Sequence, residues 1–294
     1  MLVTHGVQQG LYLVMRTLLR AGDEVLLPSP HYGSYEINAR TCGATPVLVP
    51  LRQEDGFQPR MDALTEGLTP KTRALIFSNP HNPLGVLWPR HVLEDIAEFA
   101  VRHDLLVLVD EVYRDYFAEP VSIGALPGMH ERTFTFNGFS KSHMLMGLRM
   151  GYVAGPAEVM EYVQRFHHSI AISSSSMGQV AALAALECPH DQVVSMYQEI
   201  QDLLDLLHRG VTALPGVECV KPESGFYLFP SFDSIGITSL DLALRLIEEA
   251  GVVTLPGTEF GRLGEGFLRL SVAASRPHVE RGLERLTRFV EQLG

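Results

Sequence analysis

Short apolar runs alternate with amphipathic stretches in the first half of the chain, and this alternation constrains the fold most. The apolar runs predict buried strands over residues 24–27, 45–51, 74–77, 105–109 and 133–136. The spacing of apolar residues predicts helices between them, over residues 7–20, 34–41, 61–68 and 90–103. This alternation indicates an α/β fold, in which helices sandwich a mostly parallel sheet. Ligands in such folds bind beyond the carboxyl ends of the strands, so polar residues that follow a strand are candidates for a site.

The second half of the chain has a more helical pattern. Helices are predicted over residues 157–168, 177–187, 192–214, 239–249 and 278–293. Strands are predicted around Cys219 and over residues 226–229 and 267–272. We therefore expect a large domain over residues 1–205 and a smaller C-terminal α+β domain over residues 206–294.

Charge and cysteine usage exclude several classes of function. The formal net charge of −11 argues against a general affinity for nucleic acid or for anionic membranes. Three cysteines without a close-spaced pair predict neither a disulfide framework nor a zinc site, so we expect no bound metal. The N-terminal residues lack the pattern of a secretory signal, and the longest apolar runs are too short to cross a bilayer. These features predict a cytoplasmic protein.

Two polar segments stand beside predicted strands and helices. Residues 4–8, THGVQ, form a turn that opens a helix, where free N–H groups and the helix dipole suit a phosphate, although many capped helices look similar. Residues 78–85, SNPHNPLG, follow the apolar run ALIF, and their two Asn-Pro pairs favour an extended path that presents amide side chains. An ordinary loop of Asx-turns is the alternative for the second segment.

Two further strand ends carry charged residues. Asp110 closes the run LLVLV, and a carboxylate there requires a hydrogen-bonding or cationic partner. Two partners are equally good for this carboxylate: a protonated pyridine nitrogen, or a basic side chain in a structural salt bridge. Lys141 follows the run TFTF, with Ser140 beside it and Arg149 eight residues later. A lone lysine is normally solvated, but these three residues together could bind a phosphate and supply an amine nucleophile.

Eight motifs in order along the chain resemble the class I and II aminotransferases, which are fold-type I pyridoxal-phosphate enzymes. The motifs are GVQQ, PHYGSY, NPHNPLG, DEVY, NGFSKSHMLMGLRMGY, SGFYLF, PGTEFG and RLS. The resemblance implies that Lys141 forms a Schiff base with pyridoxal 5′-phosphate, and that Lys141, Asp110 and Tyr113 are catalytic. In the family pattern Asp110 pairs with the pyridine nitrogen, Asn82 and Tyr113 contact the phenolic oxygen, and Tyr32 stacks on the ring.

The same resemblance assigns the anion-binding positions. The backbone of Val7 and Gln8, the Ser140 hydroxyl and the Arg149 guanidinium would hold the phosphate. Arg269 would bind the α-carboxylate of the substrate through two parallel hydrogen bonds. A surface position on a strand is the alternative for Arg269, and core packing is the alternative for Tyr32. His31, His81 and His143 lie near the predicted site but receive no role.

The sequence departs from the family pattern at several points. Gly138 replaces a serine that binds phosphate in many members, and Leu84 replaces a threonine that is mainly structural. Gln8 stands where some aspartate-specific members have a lysine, which weakens an assignment to aspartate. The segment that precedes GVQQ in the family is absent, so we expect a chain truncated at its N-terminus relative to the family.

The predicted function is transfer of an amino group from an L-amino acid to a 2-oxo acid in amino-acid metabolism, by a homodimer. One alternative is a pyridoxal-phosphate-dependent β-eliminating carbon–sulfur lyase, which the stretch HNPLGVLW resembles. Another is a truncated, non-catalytic module that retains the fold. The sequence does not identify the amino acid.

Overall fold

Seven strands form the larger of two sheets in the computed structural model, which describes residues 1–116 and 121–293. These strands are β1 (Leu2–His5), β2 (Glu24–Ser29), β3 (Thr45–Pro50), β4 (Thr72–Ser78), β5 (Leu106–Asp110), β6 (Thr133–Gly138) and β7 (Met150–Ala154). Their order across the sheet is β1-β7-β6-β5-β4-β2-β3. Neighbours from β3 to β6 run parallel, whereas β7 is antiparallel to both β6 and β1. The mostly parallel sheet predicted from the sequence is confirmed.

Helices flank this sheet and continue through the second half of the chain. They are α1 (Gly6–Leu18), α2 (Ser34–Thr41), α3 (Met61–Glu66), α4 (Arg90–Arg102), α5 (Phe139–Ser142), α6 (Ala157–Ala171), α7 (Ser176–Leu186), α8 (His190–Thr212), α9 (Ser239–Arg245) and α10 (Arg276–Glu291). A π-helical turn over Leu246–Ala250 extends α9. No helix within the described residues is long and apolar enough to cross a membrane.

Alternate residues of the central strands enter two different cores, because successive side chains in a strand point to opposite faces. Leu75 and Phe77 of β4 pack in the core that contains α4. Ala74 and Ile76 of the same strand pack in the core that contains α1. Burial on both faces explains why these strands are continuous apolar runs in the sequence.

A second, antiparallel sheet has the order β8-β10-β9. Its strands are β8 (Tyr227–Leu228), β9 (Leu255–Pro256) and β10 (Leu268–Ser271), and a third core lies against them. The prediction of a strand around Cys219 is wrong: that stretch forms only an isolated bridge between Glu218 and Ser231, where one pair of residues exchanges hydrogen bonds. The predicted domain boundary after residue 205 falls inside α8 and stays a prediction.

The core that contains α4 generates a stability prediction. Leu75→Ala removes a fully buried side chain, and we expect it to lower the free energy of unfolding by about 2–5 kcal/mol. Leu240→Ala is the matched control, because Leu240 is 53% exposed and its loss should change the value by less than about 0.5 kcal/mol. Urea unfolding measures both, and equal effects of the two substitutions would contradict the assignment of Leu75 to the core.

Candidate active site

A cavity of about 290 Å³ lies where the parallel strands of the large sheet end. Asp110 is the last residue of β5, and Ser140 and Lys141 follow the end of β6. All ten site residues predicted from the sequence line this one cavity: Val7, Gln8, Tyr32, Asn82, Asp110, Tyr113, Ser140, Lys141, Arg149 and Arg269. Larger open grooves of about 660 and 600 Å³ lie elsewhere, but no lysine lines either of them.

Asp110 is buried and receives two neutral hydrogen-bond donors. The Tyr35 hydroxyl donates to Oδ2 at 2.9 Å, and the Val112 backbone N–H donates to Oδ1 at 3.1 Å. Burial raises the pKa of the Asp110 carboxyl to about 6, although these two hydrogen bonds and the charge of Lys141 oppose the rise. The carboxyl therefore gives up its proton close to neutral pH, where a cationic partner would strongly favour the ionised form.

Lys141 lies on the short helix α5 and directs its amine toward an aromatic ring. Its Nζ lies 5.2 Å from the centroid of the Phe226 ring. Burial lowers the pKa of the Lys141 amine, and the charges of Arg269 and Arg149 lower it further, whereas Asp110 opposes the change. A lowered pKa increases the neutral fraction of the amine, which is the nucleophilic form.

Arg149 lies against the start of α1, and both contribute to the lining of the cavity, α1 through Val7 and Gln8. Gly6 has a φ of 70°, and a Cβ there would overlap the Arg149 guanidinium. Arg149 itself has a φ of 55°, and its Nη1 donates to the Met146 carbonyl at 2.9 Å. The cation thus stands over the positive end of a helix, an arrangement that suits a bound anion.

Gly138 occupies a place with no room for a side chain. A Cβ on Gly138 would lie 2.7 Å from both the Met150 carbonyl oxygen and the Gly151 Cα. A Cβ on Gly151 would in turn lie 2.7 Å from the carbonyl carbon of Gly6. This close packing of backbones accounts for glycine at position 138, where many family members have serine.

Arg269 on β10 also lines the cavity. Its guanidinium lies 4.0 Å from the Tyr227 ring centroid and 4.6 Å from that of Phe260. Its Nη1 donates to Asn82 Oδ1 at 3.1 Å, and Asn82 Nδ2 lies 3.5 Å from the Tyr113 hydroxyl. These contacts fix the plane of the guanidinium, and they exclude the alternative of a free surface residue.

Tyr35 and Tyr227 are site residues that the sequence reasoning missed. Tyr35 stands in the motif PHYGSY and packs edge-on against Tyr32, with ring centroids 5.5 Å apart. Tyr227 stands in SGFYLF and lines the cavity with Val112 and Met146. Both residues stand in motifs that resemble the family, and that position was the signal that could have identified them. Their contacts depend on the fold and could not be predicted from the sequence.

Gln8, which lines the cavity, and the three histidines of the predicted site region differ in their contacts. Gln8 Nε2 donates to the Ser34 hydroxyl at 2.6 Å. His31 and His81 are buried, which lowers their pKa values to about 4 and about 3, and His143 contacts the Ser142 hydroxyl at 2.9 Å. None of the three histidines lines the cavity. Within the described ranges, no group of three or more His, Cys, Asp or Glu could hold a metal.

Comparisons with known proteins agree with this geometry. Residues 1–286 match the family model described as aminotransferase class I and II. The chain is 38% identical over 296 residues to aromatic-amino-acid aminotransferase 2 of Thermococcus litoralis, and this covers 99% of the chain and 76% of the relative. It is 36% identical over 296 residues to the aspartate aminotransferase of Pyrococcus abyssi, with the same coverage of 99% and 76%.

Solved structures give the same result. The aromatic aminotransferase of Pyrococcus horikoshii superposes with a TM-score of 0.95 at 36% identity, covering 99% of this chain and 78% of that one. The aspartate aminotransferase of Thermus thermophilus with maleate superposes with a TM-score of 0.92 at 35% identity, covering 97% and 75%.

Burial of Asp110 predicts a dependence of stability on pH. Its carboxyl has a pKa of about 6 in the folded protein, against an ordinary value of 3.8. As pH rises through this window the unfolded chain loses its proton first, so the stability of the intact protein falls. We expect the stability of cofactor-free Asp110→Asn, relative to the intact protein, to increase by about 2 kcal/mol between pH 4 and pH 7.

Urea unfolding at the two pH values measures this difference. Asp95→Asn on α4 is the control, because Asp95 is exposed and its substitution should give no comparable change. A constant difference between Asp110→Asn and the intact protein would show that the carboxyl titrates normally.

Proposed function

This chain belongs to the class I and II aminotransferases, a family of fold-type I pyridoxal-phosphate enzymes, and we propose that it moves an amino group from an L-amino acid to a 2-oxo acid. One observation carries the proposal. A single cavity brings together an amine of lowered pKa, a buried carboxylate and two guanidinium groups, which belong to Lys141, Asp110, Arg149 and Arg269.

The cavity has the donors and acceptors that pyridoxal 5′-phosphate requires. Arg149, Ser140 and the N-terminus of α1 would hold the phosphate, since the close approach of Gly6 to Arg149 leaves backbone N–H groups and a cation together. Asp110 would accept a hydrogen bond from the pyridine nitrogen. When bound, pyridoxal 5′-phosphate supplies an electron sink that makes removal of the substrate's Cα proton feasible.

The remaining contacts of the ring would come from three side chains. Asn82 and Tyr113 lie within 3.5 Å of each other, and both would hydrogen-bond the phenolic oxygen. Burial raises the pKa of the Tyr113 hydroxyl well above its ordinary value, so Tyr113 stays protonated and acts as a donor. Tyr32 would pack on the face of the ring.

Proton transfer and substrate orientation would fall to two residues that line the cavity, Lys141 and Arg269. The Lys141 amine would anchor the cofactor covalently and, once released, would move the proton from the substrate's Cα. Arg269 would bind the substrate α-carboxylate with two parallel hydrogen bonds, because the rings of Tyr227 and Phe260 hold its plane. This fixes the direction of the Cα–H bond relative to Lys141.

The feature that favoured a carbon–sulfur lyase has a structural explanation. Leu84, Val86 and Trp88 of the stretch HNPLGVLW are buried in the core that contains α4. Trp88 Nε1 donates to the Phe57 carbonyl at 3.1 Å, and none of the three residues lines the cavity. Their role in packing removes the argument for a lyase, which remains an outcome of the experiment below.

Homodimer formation and a cytoplasmic location are further proposals. An exposed apolar row on α7 supports the dimer, since apolar rows of this kind are commonly covered in an assembly. The row consists of Met177, Val180, Leu183 and Leu186, which are 58–81% exposed. Light scattering tests the dimer, and a monomeric mass at micromolar concentration would contradict it.

The reaction itself is tested by supplying cofactor, a 2-oxo acid and, in separate samples, alanine, aspartate, an aromatic amino acid or cystathionine. A transaminase consumes the 2-oxo acid in proportion to the amino acid. A lyase releases pyruvate, ammonia and a thiol without an acceptor. If neither reaction takes place, the result would indicate a non-catalytic module.

Lys141 is one of three lysines in the sequence, with Lys71 and Lys221, so covalent attachment is easy to locate. After incubation with cofactor and reduction with borohydride, we expect the intact protein and Lys71→Ala to gain one cofactor mass on the peptide that contains Lys141. We expect Lys141→Ala to gain none, because Lys141 is the lysine that lines the cavity. Peptide mass spectrometry measures this, and attachment at another lysine, or none in the intact protein, would sink the proposal.

A further inference from the structure

The helix that carries Lys141 is too short to satisfy its own carbonyl groups. Helix α5 spans four residues, Phe139–Ser142, and the last four carbonyls of any α-helix lack partners within the helix. Two backbone N–H groups within the next turn donate to the Lys141 carbonyl, those of His143 and Met144, and the Met144 contact is a long 3.4 Å. A carbonyl oxygen has two lone pairs, so this end of α5 can accept further donors from other parts of the chain.

Two tyrosine hydroxyls supply those donors. Tyr116 donates to the Lys141 carbonyl oxygen at 2.9 Å, and Tyr197 donates to the Ser142 carbonyl oxygen at 3.0 Å. Their rings pack together, with centroids 4.5 Å apart. Burial raises the pKa of both hydroxyls well above the ordinary value, so both remain donors through the neutral and moderately alkaline range.

The same aromatic cluster reaches the amine of Lys141. The Phe226 ring packs edge-on against Tyr116, with centroids 6.0 Å apart, and lies 5.2 Å from Lys141 Nζ. One cluster of three rings thus contacts both the backbone and the side-chain end of the same residue. Plain core packing explains contacts between rings, but it does not require two hydroxyls aimed at successive carbonyls.

The two tyrosines come from different parts of the fold. Tyr116 follows β5, the strand that ends in Asp110, whereas Tyr197 lies on α8. Further along α8, Leu203, Leu204 and Leu207 are buried in the core of the small sheet. The backbone at Lys141 is therefore tied to both the large sheet and the helix that packs on the small one.

We propose that Tyr116 and Tyr197 are positioning residues, whose hydroxyls hold the C-terminal end of α5 and so fix the place of the Lys141 amine in the cavity. The inference rests on the proposed function for its catalytic meaning, since Lys141 is the cofactor's anchor there. The effect of the two hydroxyls on the position of the Lys141 amine is a property of the cofactor-free protein, and it is tested without cofactor.

The test measures how fast each lysine reacts with an amine-directed acylating reagent across a range of pH, by peptide mass spectrometry on the cofactor-free protein. Tyr116→Phe and Tyr197→Phe keep the rings and remove one hydroxyl each. When an end of α5 is released, Lys141 becomes more exposed, and its labelling midpoint should move about 0.5–1 pH unit higher in each variant. Exposed Lys71 is the internal reference, and its midpoint should not change.

Tyr162→Phe is the matched control, because this tyrosine is 62% exposed on α6 and its ring packs beside Arg165 of the same helix. Urea unfolding confirms that each variant is folded, and each variant tests the role of its own tyrosine. Labelling midpoints of Lys141 that match the intact protein in both Phe variants would overturn the inference. Failure of the intact protein to bind cofactor would instead contradict the proposed function, because the labelling experiment does not depend on it.

Discussion

A carboxylate buried at the end of an apolar strand is the constraint around which the site is organised. Asp110 closes a strand whose residues are buried on both faces of the sheet, so it has little access to water. The hydroxyl of Tyr35 from α2 and the N–H of Val112 each donate a hydrogen bond to one of its two carboxylate oxygens. Both donors are neutral, and the charge of Lys141 compensates the buried negative charge only in part. A buried charge that is compensated only in part is unfavourable in the free protein, and it is the feature that makes a protonated ring nitrogen a good partner.

The reversed strand β7 brings Arg149, which is proposed to hold the phosphate, to the cavity. Parallel strands all end at one edge of the sheet, and β7 begins at that edge because it runs antiparallel to β6, with Gly138 opposite Gly151. Arg149 immediately precedes β7, so it stands at the same edge as Lys141 although the chain has turned between them. The glycines at positions 6, 138 and 151 let three backbones approach closely, which brings the start of α1 under the guanidinium.

Local sequence pattern predicted the parts of the structure that depend on local physics. Strands β2, β4, β5 and β6 are apolar runs because both faces are buried, and the residues that follow them were identified by position alone. Strands β1 and β7 were missed because they are short and contain polar residues or glycine, so that only pairing with each other and with β6 makes them strands. The stretch around Cys219 has strand-like residues but finds only a single bridging partner. Tyr35, Tyr116 and Tyr197 could not be assigned, since a hydroxyl that meets a group 25 to 75 residues away leaves no periodic signal.

Arg269 already has a partner in the free protein. Its guanidinium donates to the neutral amide oxygen of Asn82, while two aromatic rings shield its faces. A neutral acceptor does not neutralise the positive charge of the guanidinium. A hydrogen bond from the guanidinium to a carboxylate is stronger than one to an amide. An incoming carboxylate would therefore replace the weaker hydrogen bond from Arg269 to Asn82. The amide of Asn82 would then be free to bond another group. Exchange of partners at this one arginine would change the contact between β10 of the small sheet, which carries Arg269, and Asn82 in the loop after β4.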